Sequence, residues 1–480
     1  MLGAAHGLER VSEVFLDNTS GRADALVAVQ RGDGGEWAFY VLREGAQPVE
    51  LATYADRIVS AALGPDGAVY GISRKGAPNG KIVKLSGAYE KGALGAAPVL
   101  VPEGPVAILS GGAQKGTADL TVGNDRLFVR DIVGGPNQVR VFGLDGAVKG
   151  KLPLPEVSSN SEIVVLGDGD ILYDVSTYLR PRYYARWTPA TGKMRETALK
   201  VTSPVSFDDA EVVREFATSK DGTRVPVNII RRKGTKLDGN NPALLYGYGG
   251  YGVSQVPVFL GAMRRLWLDA GGVYAIANTR GGAEFGETWH TQGMLTHKQN
   301  VFDDFAAVGE HLIAAKYTSH EKLAMMGGSN GGLLMGAMIT QHPALARAFV
   351  SAVGIYDMVR VELDPNGAFN TTEFGTVKKP DEFKALFAYS PYHHVVKGTA
   401  YPAVLLTTGA TDGRVNPMHS RKFAAALQAA TASDRPVLLR TERNAGHGIG
   451  SSLAQRIAEQ TDQLTFLFDQ LGMTFAASGK

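Results

Sequence analysis

The pattern of apolar residues changes near residue 205, and the pattern beyond that point is the strongest constraint on the fold. After the predicted hairpin EVVREFATSKDGTRVPVNII, short apolar runs alternate with longer amphipathic stretches. Such alternation predicts a doubly wound α/β domain over residues 205–480, with a mainly parallel sheet and helices on both faces. The predicted strands are PALLYGYGG, GGVYAIANTRGG, KLAMMGGS, RAFVSAVG, PAVLLTTG and RPVLLRTE, and the predicted helices include NVFDDFAAVGEHLIAAKY and PMHSRKFAAALQAATA.

Residues 1–204 show a different sequence pattern. Short β-type runs such as GNDRLFVRDI and LGDGDILYDVS follow Gly or Asp turns. They return at intervals of roughly 40 to 60 residues, which is near the period of a propeller blade. This pattern predicts an all-β domain built as a propeller. A β-sandwich stays open as the alternative, because the sequence has no blade signature as sharp as a Trp-Asp dipeptide.

Length and composition limit the classes of function. A chain of 480 residues predicts two domains. The 49 basic and 47 acidic residues leave a net charge of only +2, so we expect neither a nucleic-acid nor a membrane partner. The absence of cysteine excludes disulfides and a cysteine nucleophile. No signal or spanning segment is recognisable, which predicts a cytoplasmic protein as written, or a periplasmic one if an export signal precedes this sequence.

The run GGSNGG places Ser329 at the junction between the strand KLAMM and the helix GGLLMGAMITQHP. This is the arrangement of a nucleophile elbow, in which flanking glycines allow the strand and the helix to approach closely. With 59 glycines in the chain, the G-x-S-x-G pattern alone is weak. Its setting between strand and helix is what favours a catalytic serine over a passive one.

A serine hydroxyl needs a base, and the base needs an orienting carboxylate. In α/β-hydrolases the chain order is Ser, then Asp or Glu, then His. Asp412 follows the strand PAVLLTTG, and His447 follows the strand RPVLLRTE, so both lie beyond strand C-termini. We therefore predict a triad of Ser329, Asp412 and His447. No metal-binding spacing such as H-E-x-x-H is present, and we expect no metal or other cofactor.

Residues 205–475 resemble the prolyl oligopeptidase family of serine peptidases. The resemblance rests on motifs that occur in the same order, and it implies an α/β-hydrolase domain capped by a β-propeller. It also implies short peptides as substrates. The motifs are SKDGTRVP, LYGYGGYG, NTRGGAEFGETWH, KQNVFDDF, GGSNGG, YSPYHHV, TDGRVNP and AGHG.

The resemblance also implies roles for individual residues. Tyr248 matches the tyrosine whose hydroxyl contributes to the oxyanion hole, and the backbone N–H of Asn330 matches the second donor. Arg414 matches the arginine that binds a substrate backbone carbonyl. Tyr251 matches an aromatic residue near the S1 pocket. The run FNTTEFG places Asn370 where the family has a tryptophan that stacks on the substrate proline, so a subsite broader than strict proline is expected.

Length is the second departure from the family. At roughly 40 to 50 residues per blade, residues 1–204 make about four blades rather than the family's seven. The chain is therefore expected to be a fragment or to begin at a misplaced initiator. The leading prediction is a serine peptidase for short peptides. An esterase on the same triad, and an inactive relic that acts as an interaction protein, are the alternatives.

Overall fold

The computed structural model describes residues 8, 11–17, 23–32, 35–109, 119–448 and 451–475. The chain forms two compact units. The first comprises Met1–Ser203, Tyr251–Phe259 and Ala283–His290, and the second comprises the remaining segments, Pro204–Gly250, Leu260–Gly282 and Thr291–Lys480.

Two segments of the first unit, Tyr251–Phe259 and Ala283–His290, lie beyond residue 205 in the sequence, so a single boundary at that residue does not separate the units. They are called the inserted segments. They join the first unit through specific hydrogen bonds: Ser159 Oγ donates to the carbonyl of Pro257 at 2.6 Å, and the N–H of Gly134 donates to the carbonyl of Glu284 at 2.9 Å. Because these contacts link residues far apart in the chain, a boundary drawn from local sequence pattern does not reveal them.

The described residues of the first unit form four separate antiparallel sheets. Three of them are four-stranded meanders, and the third sheet along the chain has a fifth strand, β9, paired with β11. The strands are β1 (Val11–Asp17), β2 (Ala25–Arg31), β3 (Glu36–Leu42) and β4 (Val49–Ala52); β5 (Ile58–Leu63), β6 (Val69–Ser73), β7 (Lys81–Leu85) and β8 (Val99–Val101); β9 (Ala107–Ile108), β10 (Leu120–Val122), β11 (Arg126–Ile132), β12 (Asn137–Gly143) and β13 (Val148–Lys151); and β14 (Ile163–Val165), β15 (Ile171–Val175), β16 (Tyr183–Thr188) and β17 (Lys193–Lys200).

The Asp-Gly turns predicted from the sequence join strands within these sheets. Between β5 and β6, Asp66 Oδ1 accepts the N–H of Ala68 at 3.1 Å, and Gly67 has φ of +80°. Glycine adopts this left-handed conformation without a Cβ clash, and the Asp side chain supports the turn by accepting a backbone N–H. The same geometry recurs at residues 145–146 and 168–169.

Successive sheets share their apolar cores. One core joins the first and second sheets, another joins the second and third, and another joins the third and fourth. A sandwich would instead bury one core between two sheets. Serial packing of four sheets corresponds to blades of a propeller, so the partial β-propeller is confirmed and the sandwich alternative is wrong.

A single eight-stranded sheet organises the second unit. Its strand order is β18-β19-β21-β20-β22-β23-β24-β25, parallel throughout except for the pairs that involve β19. The antiparallel hairpin and the six strands predicted from the sequence are all present, although the last of them, Val437–Glu442 at the edge of the sheet, buries only Val437 rather than the whole strand. The strands are β18 (Ala210–Thr218), β19 (Arg224–Arg232), β20 (Ala243–Tyr246), β21 (Val273–Ala277), β22 (Leu323–Gly328), β23 (Ala348–Ala352), β24 (Ala403–Gly409) and β25 (Val437–Glu442).

Helices connect the parallel strands, as the predicted α/β-hydrolase fold requires. Trp267 and Phe468 bring α1 and α8 together, with ring centroids 6.0 Å apart, while α3 packs against α4. The helices are α1 (Gly261–Asp269), α2 (Glu287–Thr291), α3 (Gln299–Ala314), α4 (Asn330–Gln341), α5 (Thr371–Phe374), α6 (Pro380–Tyr389), α7 (Met418–Ala430) and α8 (Leu453–Leu471).

Arg280 joins three elements of the second unit. Its guanidinium contacts Asp304 of α3 at 2.6 Å and Asp221 of the β18–β19 turn at 2.5 Å. Its backbone N–H also donates to Asp304 at 3.0 Å. Arg280 and Asp304 are buried, so the pair needs this full set of partners to offset the loss of hydration.

Asp221→Asn should make the free energy of unfolding less dependent on pH in the acid range. The hydrogen bond from Arg280 lowers the pKa of Asp221 to about 2. A carboxylate with a lowered pKa stabilises the fold above its ordinary pKa, near 3.8, and loses this contribution as the pH falls towards about 2. Urea unfolding should therefore show wild type more stable than the variant near neutral pH, with the difference shrinking below about pH 4. A difference that stays constant down to the acid limit would contradict this assignment.

Candidate active site

Ser329 occupies a strained turn between β22 and α4. Its backbone has φ of 59° and ψ of −118°, a region that side chains other than glycine rarely adopt. The N–H of Ser329 donates to the carbonyl of Ala352 at 2.8 Å, which ties the turn to the end of β23. Strain of this kind persists only where the surrounding structure imposes it, and it is the backbone signature of a nucleophile elbow.

The glycines around Ser329 permit close backbone contacts. A Cβ on Gly327 would overlap the carbonyl of Gly331, and a Cβ on Gly331 would lie 2.7 Å from the carbonyl oxygen of Gly247. A Cβ on Gly332 would lie 2.5 Å from the Cα of Gly354. Larger residues at these positions would push the helix away from the strands, so the repeated glycines of GGSNGG have a steric cause.

The three residues of the predicted triad form one hydrogen-bonded chain. Ser329 Oγ lies 2.9 Å from His447 Nε2, and His447 Nδ1 lies 2.7 Å from Asp412 Oδ2. A carboxylate only accepts hydrogen bonds, so His447 carries its proton on Nδ1 and presents the lone pair of Nε2 to the serine hydroxyl. The geometry matches a nucleophile, a base and an orienting acid.

Asp412 is held as a carboxylate by its own loop. Its Oδ1 accepts the backbone N–H groups of Arg414 and Val415, each at 2.9 Å. Burial favours the protonated acid, but the hydrogen bonds from His447 and from these two N–H groups outweigh it, so the pKa of Asp412 lies below its ordinary value. The carboxylate is therefore ionised at neutral pH and faces the imidazole.

The loops that carry Asp412 and His447 contact each other directly. Thr411 donates to the carbonyl of Ala445 through both its N–H, at 3.2 Å, and its hydroxyl, at 3.0 Å. Gly409, at the end of β24, has no room for a Cβ because the carbonyls of Ala445 and Gly446 lie against it. Neighbouring parallel strands thus bring the acid and the histidine to one edge of the sheet.

The loop of Tyr248 packs against the elbow. The Tyr248 side chain interacts with that of Ser329, and Asn330 Nδ2 donates to the Tyr248 carbonyl at 2.5 Å. Gly250 must lack a side chain, since a Cβ there would lie 2.5 Å from Asn330 Nδ2. Asn330 begins α4, and first-turn N–H groups of a helix have no acceptor within the helix.

Comparison with known proteins identifies similar sequences and folds. Residues 260–474 match the model of the prolyl oligopeptidase family. A prolyl endopeptidase of Elizabethkingia meningoseptica is 34% identical over 450 residues, which cover 93% of this chain and 62% of that protein. Residues 260–474 therefore correspond to a prolyl oligopeptidase family domain. A prolyl endopeptidase of Elizabethkingia miricola is 41% identical over 307 residues, covering 63% of this chain and 43% of that protein.

Solved structures share the fold. One from a structural and mechanistic study of two prolyl endopeptidases has a TM-score of 0.84 and 38% identity, and the match covers 94% of this chain and 65% of that one. Prolyl oligopeptidase B of Galerina marginata, bound to a 35mer hydrolysis and macrocyclization substrate, has a TM-score of 0.84 and 25% identity, covering 97% and 65%. This chain spans less than two thirds of the length of these relatives.

The remaining residues predicted from the prolyl oligopeptidase family lie in different environments. Arg414 is solvent-exposed, and its charge acts on the Tyr248 hydroxyl. Tyr251 has φ of 57°, and its segment clusters with the first compact unit rather than with Ser329. Asn370 is buried where the 3-10 turn Gly367–Asn370 meets α5.

The sequence assigned no role to Lys298, which begins the run KQNVFDDF, or to Glu373, which lies in the run FNTTEFG. Lys298 Nζ donates to the carbonyl of Gly249 at 3.0 Å and to Glu373 Oε1 at 2.8 Å. Both side chains are buried. A lysine at a helix start and a glutamate in a short helix carry no local sign of such a contact, because it joins residues 75 positions apart.

Neither a metal centre nor a membrane segment emerges within the described ranges. No group of three or more His, Asp or Glu side chains there is arranged to hold a metal ion. None of the helices in those ranges combines the length and apolarity needed to cross a bilayer.

Proposed function

We propose that this protein is a serine peptidase of the prolyl oligopeptidase type, which cleaves short peptides through an acyl-enzyme on Ser329. The observation that carries the proposal is the continuous hydrogen-bonded chain from Asp412 through His447 to Ser329. The names of the relatives, prolyl endopeptidase and prolyl oligopeptidase, support peptides as the substrate class.

The triad geometry supports a defined sequence of proton transfers. His447 Nε2 takes the proton of the Ser329 hydroxyl as Oγ attacks the scissile carbonyl, and Asp412 stabilises the imidazolium that forms. The same proton then passes to the leaving amine, whose departure leaves an ester on Ser329. Water then attacks the ester carbonyl and gives a proton to His447. His447 returns this proton to Ser329 Oγ as the acyl group leaves, which restores the serine.

Two hydrogen-bond donors are proposed to stabilise the negative charge that develops on the substrate carbonyl oxygen as Ser329 attacks. One is the hydroxyl of Tyr248 and the other is the backbone N–H of Asn330. Burial raises the pKa of Tyr248, and the charge of Glu373 raises it further, while that of Arg414 opposes the rise. The phenol therefore keeps its proton at neutral pH and can donate a hydrogen bond to the oxyanion.

Tyr248→Phe is expected to lower kcat by about 100- to 1000-fold, because one oxyanion donor is lost. KM should change little, since the donor acts on charge that develops only in the transition state. Steady-state kinetics on a peptide amide measures the effect. Tyr246→Phe, on the preceding strand, provides a matched control that removes a hydroxyl without touching the oxyanion, and it should keep wild-type kcat. Equal losses in the two variants would contradict the role of Tyr248.

Specificity for the residue before the scissile bond is proposed to depend on the segment of Asn370. An aromatic side chain offers a flat apolar surface to proline, and asparagine does not. Asn370→Trp should therefore raise the ratio of kcat/KM for proline over alanine by about tenfold. A library of peptides varied at this position measures the ratio for wild type and variant, with thermal unfolding as the check that the larger side chain is accommodated. An unchanged ratio in a folded variant would remove Asn370 from the subsite.

Peptide amides should be turned over in preference to simple esters. Comparison of a fluorogenic peptide amide with p-nitrophenyl acetate tests this. Hydrolysis of the ester alone would identify an esterase. Failure to hydrolyse either substrate, together with failure of Ser329 to react with a fluorophosphonate, would favour the inactive relic.

A further inference from the structure

Lys298 and Glu373 form a buried ion pair beside the proposed oxyanion site. The Lys298 side chain is 0% exposed and that of Glu373 is 1% exposed. Burial lowers the pKa of Lys298, and the neighbouring carboxylate opposes this shift. Buried ion pairs contribute little net stability compared with apolar residues of similar volume. A role other than stability therefore has to account for the position of this pair.

The pair also contacts the loop of Tyr248. Lys298 Nζ donates to the carbonyl of Gly249 at 3.0 Å, and Asn330 Nδ2 donates to the preceding carbonyl, that of Tyr248, at 2.5 Å. Two successive peptide groups are thus fixed by buried side chains. The first of these peptide groups is bonded to the Cα of Tyr248, which also carries the side chain. Fixing the peptide groups therefore restricts the direction in which the Tyr248 side chain points.

Gly249 allows the loop to come this close to α3. It has φ of +64°, and a Cβ on it would overlap the side chain of Val301. A loop made of glycines on either side of Tyr248 has many accessible conformations, so it does not hold its own shape. External contacts have to supply the rigidity that a preorganised oxyanion donor requires.

Glu373 extends the connection to the segment of Asn370. It lies in α5, three residues after Asn370, and its charge acts on the Tyr248 hydroxyl. The Lys298 ammonium therefore joins the oxyanion loop on one side to the proposed specificity segment on the other.

We propose that Lys298 and Glu373 are positioning residues, which hold the Gly249 carbonyl so that the Tyr248 hydroxyl points at the oxyanion. This inference rests on the proposed peptidase function. It adds to that function two residues that do not touch the reacting atoms. Their effect on catalysis passes through Tyr248.

A double-mutant cycle separates positioning from a general loss of structure. The paired variant Lys298→Met/Glu373→Leu replaces both charges with apolar side chains of similar size, which avoids leaving one charge buried alone. It is made in the wild-type protein and again in Tyr248→Phe. The matched control is Arg231→Met/Glu211→Leu, which removes an ion pair of 3.0 Å between the edge strand β18 and its neighbour β19.

In the wild-type protein, the paired variant should lower kcat by about 10- to 100-fold and change KM by less than about threefold, because a misdirected donor fails in the transition state. In the Tyr248→Phe protein, the same change should lower kcat by less than about threefold, since the donor is already absent. The control pair should keep wild-type kcat in both. Cooperative thermal unfolding confirms that each protein is folded.

Equal losses of kcat with and without the Tyr248 hydroxyl would overturn the inference, as would wild-type kcat in the paired variant. If the paired variant does not fold, Glu373→Gln alone is measured in the same cycle, with the same two outcomes. Failure of the proposed function is recognised separately, because wild type itself would then neither hydrolyse peptide amides nor react at Ser329 with a fluorophosphonate.

Discussion

Ser329→Ala is expected to lower kcat on peptide amides by roughly a million-fold, to the level left by binding and the oxyanion donors alone. In the proposed mechanism this hydroxyl attacks the substrate, and it lies 2.9 Å from His447 Nε2, the proposed base. Covalent reaction with a fluorophosphonate should disappear in the same variant. Labelling that persists in Ser329→Ala would place the reactive residue elsewhere.

The same position offers a control on stability. Alanine at residue 329 keeps a Cβ at φ of 59° and so retains the strain of the elbow, whereas glycine relieves it. Ser329→Gly should therefore be as inactive as Ser329→Ala but more stable by about 1 kcal/mol in urea unfolding. If the glycine variant is the less stable of the two, the elbow is not strained.

Asp412→Asn should lower kcat by about 10,000-fold while leaving the active site assembled. Two backbone N–H groups, those of Arg414 and Val415, point at Oδ1, so the amide oxygen of asparagine must occupy that position. Its NH2 group then faces His447 Nδ1 and donates to it. The histidine is forced into the other tautomer, with its proton on Nε2, and it can no longer accept the proton of Ser329.

Steady-state kinetics and fluorophosphonate labelling measure this loss. Asp462→Asn is the matched control, because Asp462 is a carboxylate of α8 paired with Arg440 at 2.6 Å and largely exposed. It should retain wild-type activity. A loss of less than about tenfold in Asp412→Asn would mean that the orientation of His447 has another source.

Much of the fold was accessible from the sequence. Apolar runs of strand length alternating with amphipathic stretches placed every parallel strand from β20 to β25, because the core faces of buried strands and helices impose these periods locally. The order of Ser329, Asp412 and His447 along the chain, each after a strand, predicted that they lie at one edge of the sheet. The Asp-Gly turns likewise marked the meanders of the first unit.

The sequence by itself therefore determined the two kinds of sheet and the strand-to-helix junction at Ser329, and it predicted the residues of the proposed triad, since all of these depend on short-range patterns. The tertiary structure alone decided the contacts that shape the site around them. These are the Asn330 amide on the Tyr248 carbonyl, the buried Lys298–Glu373 pair on Gly249, and the two inserted segments that join the first unit. Each depends on groups brought together from distant parts of the chain, and no local periodicity encodes which carbonyl a buried side chain will reach.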